Sequence, residues 1–246
     1  MSSLNAHHSP SSEPTGTAAL AVDRASAFYL FIFNFDGVLA NSAQVYLDLC
    51  RSALTACGHA RRLASIEDLV RCQRLNGEGM ADTFALTGAQ RDTFISHYDA
   101  AAQRAALQCD LYPGIALALR TLASTAYTAV VSRSDPDFIA TVLRANGVPH
   151  SVNRTLGIEQ GNPVDCIRQL LQELRIAPQR AIYCGDCVHD LHVAQLAGVQ
   201  AAACSWGWQA GDLATHRQDS IPHFSRPAQL LTRLTAPHQD QPDVVL

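Results

Sequence analysis

The apolar positions of this chain fall into two periods, and the break between them divides the sequence. The first pattern is Phe31-Ile-Phe-Asn-Phe-Asp-Gly-Val-Leu-Ala-Asn-Ser42, an apolar run that ends in a polar, glycine-containing turn. A short run of this kind predicts a parallel strand covered on both faces. It would deliver Asn34 and Asp36 to the rim of the sheet, where open α/β sheets hold their ligands. From residue 43 to 57 apolar residues recur at helical spacing and stop at Gly58. Two further helical patterns occupy residues 66–75 and 89–108. Between them, Arg74-Leu-Asn-Gly-Glu-Gly-Met-Ala-Asp82 predicts a glycine loop, with Asp82 or Thr83 starting another short helix. No strand pattern interrupts residues 45–109, which therefore read as an all-helical insertion between two strands.

The second half alternates strand and helix. Residues 111–115 form a turn opening a helix to about 123; residues 127–131 are a strand ending at Ser132; residues 136–145 are a helix closed by Asn146-Gly147. A short strand within 153–158, an amphipathic helix over 164–174 and a strand over 180–184 follow, the last ending in Gly185-Asp186. A helix to residue 197, closed by Gly198, and a strand over 199–204 complete the pattern. Such alternation predicts βαβ units and an α/β, doubly wound parallel sheet. The expected organisation is a core of residues 24–44 and 110–234, a helical cap over 45–109, a Ser/Pro/Thr-rich disordered tail over 1–23 and a loose tail over 235–246.

Composition narrows the function classes. With 48% hydrophobic residues in 246 the chain can build a core, and a net charge of -4 gives no positive field for nucleic acid. No apolar run approaches the roughly 20 residues that cross a bilayer, so no membrane partner is expected, and the N-terminus lacks a secretory pattern. A cytoplasmic location follows as the default. The eight cysteines are scattered and read as reduced, buried small hydrophobes. All 18 basic residues are arginine. Arginine-biased codon usage explains this; so does selection against modifiable amines in a protein delivered into a host cell, where the N-terminal tail would serve as an uncleaved export signal. Either way, no lysine serves catalysis or phosphate binding here.

Three strand ends carry polar groups: Asn34 and Asp36, then Ser132, then Asp186 and Asp190 in Gly185-Asp-Cys-Val-His-Asp190. Parallel strands end on one edge, so these groups should converge. Two acidic clusters at one rim suit a hard divalent cation, most plausibly magnesium, and a serine at a strand-to-helix turn suits a phosphate oxygen. Plainer roles stay open: a turn for Asp36-Gly37, helix capping for Ser132 and Asp190. Cys184-Gly-Asp-Cys187 has redox and zinc spacing with His189 and His192 behind it, but Cys184 should be buried at a strand end and Asp186 belongs to the cation. Trp206 and Trp208 read as core or lid residues.

In this order the motifs resemble the haloacid dehalogenase (HAD) superfamily over residues 27–234. Tyr112-Pro-Gly-Ile115, Arg74-Leu-Asn-Gly77 and Ser205-Trp-Gly-Trp208 resemble its phosphoglycolate phosphatase-like branch. The resemblance implies a Rossmann-like core, a cap that closes on substrate and magnesium-dependent phosphomonoesterase ancestry. It also implies roles. Asn34 stands where the family has its nucleophilic aspartate; Asp36 matches the general acid/base; Ser132 matches the phosphate-binding hydroxyl; Asn162 stands where a phosphate-binding lysine belongs, although Asn-Pro is also a common start to a helix. Asn34, Asp36, Asp186 and Asp190 match the metal site. An amide is a poor nucleophile, and Arg133 or Arg154 would have to supply the missing positive charge. The sequence therefore predicts an impaired phosphatase that binds a phosphorylated small molecule or a protein partner. The alternatives are an active hydrolase in which Asp36 activates water, and a host-directed protein.

Overall fold

The computed structural model describes residues 29–234 apart from 61, 63 and 217, so the tails expected at 1–23 and 235–246 lie outside the described residues. Its strands are β1 (Leu30–Phe33), β2 (Tyr127–Val131), β3 (Arg154–Leu156), β4 (Ala181–Gly185), β5 (Gln200–Cys204) and β6 (His223–Phe224). They form one parallel sheet in the order β3-β2-β1-β4-β5-β6. The order reverses at β1, and such a switch point opens a crevice beyond the carboxyl ends of the strands. All four β1 residues are at most 1% exposed, which is why the run reads as continuously apolar. Alternate residues face opposite layers. Phe31 and Phe33 join the cluster that holds Phe138 and Ile139, while Leu30 and Ile32 join Cys166, Ile167 and Leu170.

Helices α1 (Ala43–Ala56), α2 (Ile66–Arg71), α3 (Gly77–Thr83) and α4 (Gly88–Ala106) follow β1 without an intervening strand. Then come α5 (Ile115–Ala123), α6 (Pro136–Ala145), α7 (Pro163–Leu174), α8 (Val188–Ala197), α9 (Ala210–Thr215) and α10 (Ala228–Leu234). The α/β class and most element positions match the pattern of the sequence. Among the described residues no helix is long and apolar enough to cross a membrane.

Several elements differ from expectation. Residues 77–83 are a helix, not a loop, and Asp82 and Thr83 end it instead of starting one. Asn76 caps this helix, its side-chain oxygen accepting the Gly79 N–H at 2.9 Å. Gly79 is needed there because a Cβ would lie 2.0 Å from the Arg74 carbonyl oxygen. β6 is two residues long, too short to leave a period in the sequence; α9 and α10, each of one to two turns, were not predicted, and α2 ends at Arg71, short of the expected residue 75.

The first four helices lie closed on the core. Leu75 N–H donates to the Arg133 carbonyl at 3.1 Å, beside a one-residue bridge between Leu75 and Ser134. The Arg133 guanidinium donates to the carbonyls of Val70 and Cys72.

Candidate active site

β1 stops at Phe33 and the chain turns through Asn34-Phe-Asp-Gly37. Both ends of the Asn34 amide are engaged: its Oδ1 accepts the Phe35 N–H at 2.7 Å, and its Nδ2 donates to Asp190 Oδ2 at 3.1 Å. This pairing fixes the orientation of the amide, since a backbone N–H needs an acceptor and a carboxylate a donor. Asp36 is 7% exposed. Its Oδ1 accepts the Ser42 hydroxyl at 2.6 Å, and its Oδ2 accepts the hydroxyls of Ser134 and, at 3.4 Å, Ser132. Tyr46 donates in turn to Ser134 Oγ at 3.1 Å. Burial raises the Asp36 carboxyl above its ordinary range; the serine hydroxyls and the nearby Arg133 charge pull it back only in part.

The end of β4 supplies the facing acids. Asp186 and Asp190 are 1% and 4% exposed. Asp190 Oδ2 accepts the Asp186 N–H at 3.1 Å as well as the Asn34 amide, and its Oδ1 accepts the Tyr183 hydroxyl at 3.3 Å. Asp186 Oδ2 accepts the Gln209 N–H at 3.4 Å. Burial first, and the neighbouring Asp190 charge second, push Asp186 up to about 8. Ligand atoms of Asp186, Cys187 and Asp190 lie within 4.8 Å of one another, and no cationic side chain hydrogen-bonds either acid among the described residues.

This donor set fits a hard divalent cation. Two buried carboxylates without a counter-charge call for one, whereas the Cys187 thiol, pushed up by burial and by both acids, keeps its proton and suits zinc poorly. Asp186 and Asp190 are the residues that would hold magnesium. The eight cysteines, Cys184 included, are free and buried.

Asn34, Asp36, Ser132, Asp186 and Asp190 thus converge at the rim as their strand ends predict. Asn162 does not join them. It is exposed and caps α7, its Oδ1 accepting the Asp165 N–H at 3.0 Å while its amide donates to the Asp165 carboxylate. The helix-starting role of Asn-Pro is the one realised. Ser132 is not the cap of α6; Asp135 is, accepting from Asp137 N–H and Phe138 N–H. Arg154 is half-exposed and faces Glu173 at 3.9 Å; Arg133 donates from Nη1 to the carbonyls of Val70 and Cys72, and its charge lies near enough to Asp36 to lower that carboxyl. Trp206 packs against the core and donates to the Val38 carbonyl at 3.0 Å, tying the segment after β5 to the turn after β1.

Ser42, Tyr46 and Ser134 complete the site and were not foreseen. Ser134 could have been found, because Ser132-Arg-Ser134 places two hydroxyls beyond one strand end. Ser42 and Tyr46 reach Asp36 only through packing of the turn and α1.

A model of the haloacid dehalogenase-like hydrolase family matches residues 31–204. Among curated proteins the chain is similar to the tyrosine-protein kinase PtkA of Mycobacterium tuberculosis and Mycobacterium bovis, with 25% identity over 191 residues, 74% of this chain and 64% of the relative. The chain therefore spans less than two thirds of the length of these relatives. Among solved structures, a protein described as a predicted phosphoglycolate phosphatase from Haemophilus somnus 129pt superposes with a TM-score of 0.73 at 22% identity, covering 84% of this chain and 98% of that one. A haloacid dehalogenase-like family hydrolase from Streptococcus pneumoniae superposes with a TM-score of 0.66 at 21% identity, covering 84% and 98%. At these identities the likeness is one of fold.

Proposed function

Since the chain belongs to the haloacid dehalogenase-like hydrolase family, we propose that it descends from a magnesium-dependent phosphomonoesterase of the phosphoglycolate phosphatase-like kind and has lost that chemistry. It then acts by binding a phosphorylated small molecule or a protein partner at the cap–core junction. The observation that carries this reading is the Asn34 amide, committed to Phe35 N–H on one side and to Asp190 on the other. An amide has no anionic oxygen to attack phosphorus, and its carbonyl oxygen already accepts the Phe35 N–H. Magnesium held by Asp186 and Asp190 would supply positive charge for phosphate oxygens. The chain's own contribution is to bury those acids, hold them by backbone N–H groups and exclude water.

The competing reading, in which Asp36 activates water for direct attack, draws support from the survival of Asp36 at the rim. Against it stands the engagement of both Asp36 oxygens by the hydroxyls of Ser42, Ser132 and Ser134. A carboxylate has about four lone-pair sites, so these hydroxyls compete with the water it would deprotonate.

The covalent route is tested by incubating the full chain with magnesium and acetyl phosphate, quenching in acid and measuring intact mass. The expected result is unmodified protein; a phosphoryl adduct mapping to residues 34–42 would overturn the proposal.

A further inference from the structure

The turn Ser132-Arg133-Ser134 beyond β2 faces the core and the cap at once. Toward the core, the hydroxyls of Ser132 and Ser134 donate to Asp36 Oδ2, and the Ser134 N–H donates to Ser132 Oγ at 3.2 Å, so one turn sets both hydroxyls. Toward the cap, the Arg133 carbonyl accepts the Leu75 N–H at 3.1 Å beside the bridge between Leu75 and Ser134. The Arg133 guanidinium reaches the same stretch of the cap. Its Nη1 donates to the carbonyl of Cys72 and, at 3.3 Å, to that of Val70, 61 and 63 residues away in sequence. Tyr46, on α1 of the cap, adds a further tie by donating to Ser134 Oγ at 3.1 Å.

The two carbonyls that Arg133 takes lie at the end of α2, where a helix has no N–H groups of its own left to offer. A cation is favoured there both by hydrogen bonding and by the helix dipole. The other end of α2 needs no outside help, because Ser65 and Asp68 close it as a capping box. Arg133 forms no ion pair among the described residues, so its hydrogen bonds go to the helix end and not to a carboxylate. A helix of the cap is thus finished by a side chain of the core. Cys72 and Leu75 are buried, which keeps water from competing for these contacts. Swinging the cap away would break the Leu75 bridge, leave the α2 carbonyls without the guanidinium and part Tyr46 from Ser134.

We propose that Arg133 is a latch that holds the cap over the rim, and that the latch and the hydroxyl cage around Asp36 form and release together because one turn carries both. This rests on the reading of the rim as the ligand site and adds a control on it: release of Arg133 from Val70 and Cys72 loosens Ser132 and Ser134 and uncovers the Asp36 carboxylate. Arg133 acts here as a positioning residue, through the two serines.

The test is amide hydrogen exchange of the full chain, read by mass spectrometry over residues 70–76 with β4 as the reference for global stability. Arg133→Met should speed exchange over 70–76 by about tenfold, as charge-assisted hydrogen bonds are lost, and leave β4 unchanged. Arg133→Lys, which keeps the charge but not the fork of donors, should fall between. Ser134→Ala probes the coupling from the other side. It removes the hydroxyl from Asp36 and Tyr46 and keeps the backbone bridge to Leu75, yet it too should speed exchange over 70–76, which that hydroxyl does not touch. Protection of 70–76 that Arg133→Met leaves intact would overturn the proposal, as would a Ser134→Ala effect confined to the rim, or an acceleration shared equally by β4. The readout is protection and not turnover, so phosphate release by the unaltered chain would contradict the loss of phosphatase chemistry and leave the latch standing.

Discussion

Replacing Asn34 with aspartate is expected to destabilise the metal-free protein by about 2–4 kcal/mol, the range for turning a buried hydrogen bond into an unpaired charge. The amide donates to Asp190 Oδ2 at 3.1 Å, so the substitution removes a donor and sets a third carboxylate beside Asp186 and Asp190. Like charges this close cannot all ionise without a cation. Magnesium should therefore restore most of the loss, raising the stability of Asn34→Asp far more than that of the unaltered chain. Thermal unfolding of both proteins in chelator and in magnesium measures this directly. Equal stability of the two in chelator would mean that the amide does not hold Asp190.

A comparable loss is expected from Gly37→Ala, about 2–5 kcal/mol from left-handed backbone strain and overpacking together. Gly37 has φ +78°, and a Cβ added there would lie 2.1 Å from Asp186 Oδ2 and 2.6 Å from its Cγ. Nothing flexible gives way, because Asp186 is 1% exposed and its Oδ2 also accepts the Gln209 N–H. Chemical denaturation should show the drop, and combining the change with Asp186→Ala should recover the steric share of it, since the two residues touch and their effects are not additive. Full additivity would show that backbone strain alone accounts for the loss.

How much of this was legible in the sequence depended on whether a residue's place is set locally. Asn34, Asp36, Ser132, Asp186 and Asp190 each follow an apolar run closely, and parallel strands ending on one edge bring such residues together. Asn162 was legible only as an ambiguity. The family resemblance suggested the pocket and Asn-Pro suggested a cap, and nothing local says which way a loop side chain faces. The 77–83 helix was hidden because two glycines argue against helix by propensity, while tertiary contact demands one of them: Gly79 lies too near the Arg74 carbonyl for any Cβ. Tyr46 is placed on Ser134 by the packing of α1 over the core, across 88 residues of sequence.

An amide at position 34 is expected to end phosphomonoester hydrolysis while the rim stays folded around Asp36, Asp186 and Asp190. Magnesium-dependent phosphate release from a panel of phosphomonoesters, phosphoglycolate included, measures it with the unaltered chain beside Asp36→Ala. The same background rate is expected for both proteins; turnover by the unaltered chain that Asp36→Ala abolishes would contradict the loss of phosphatase chemistry.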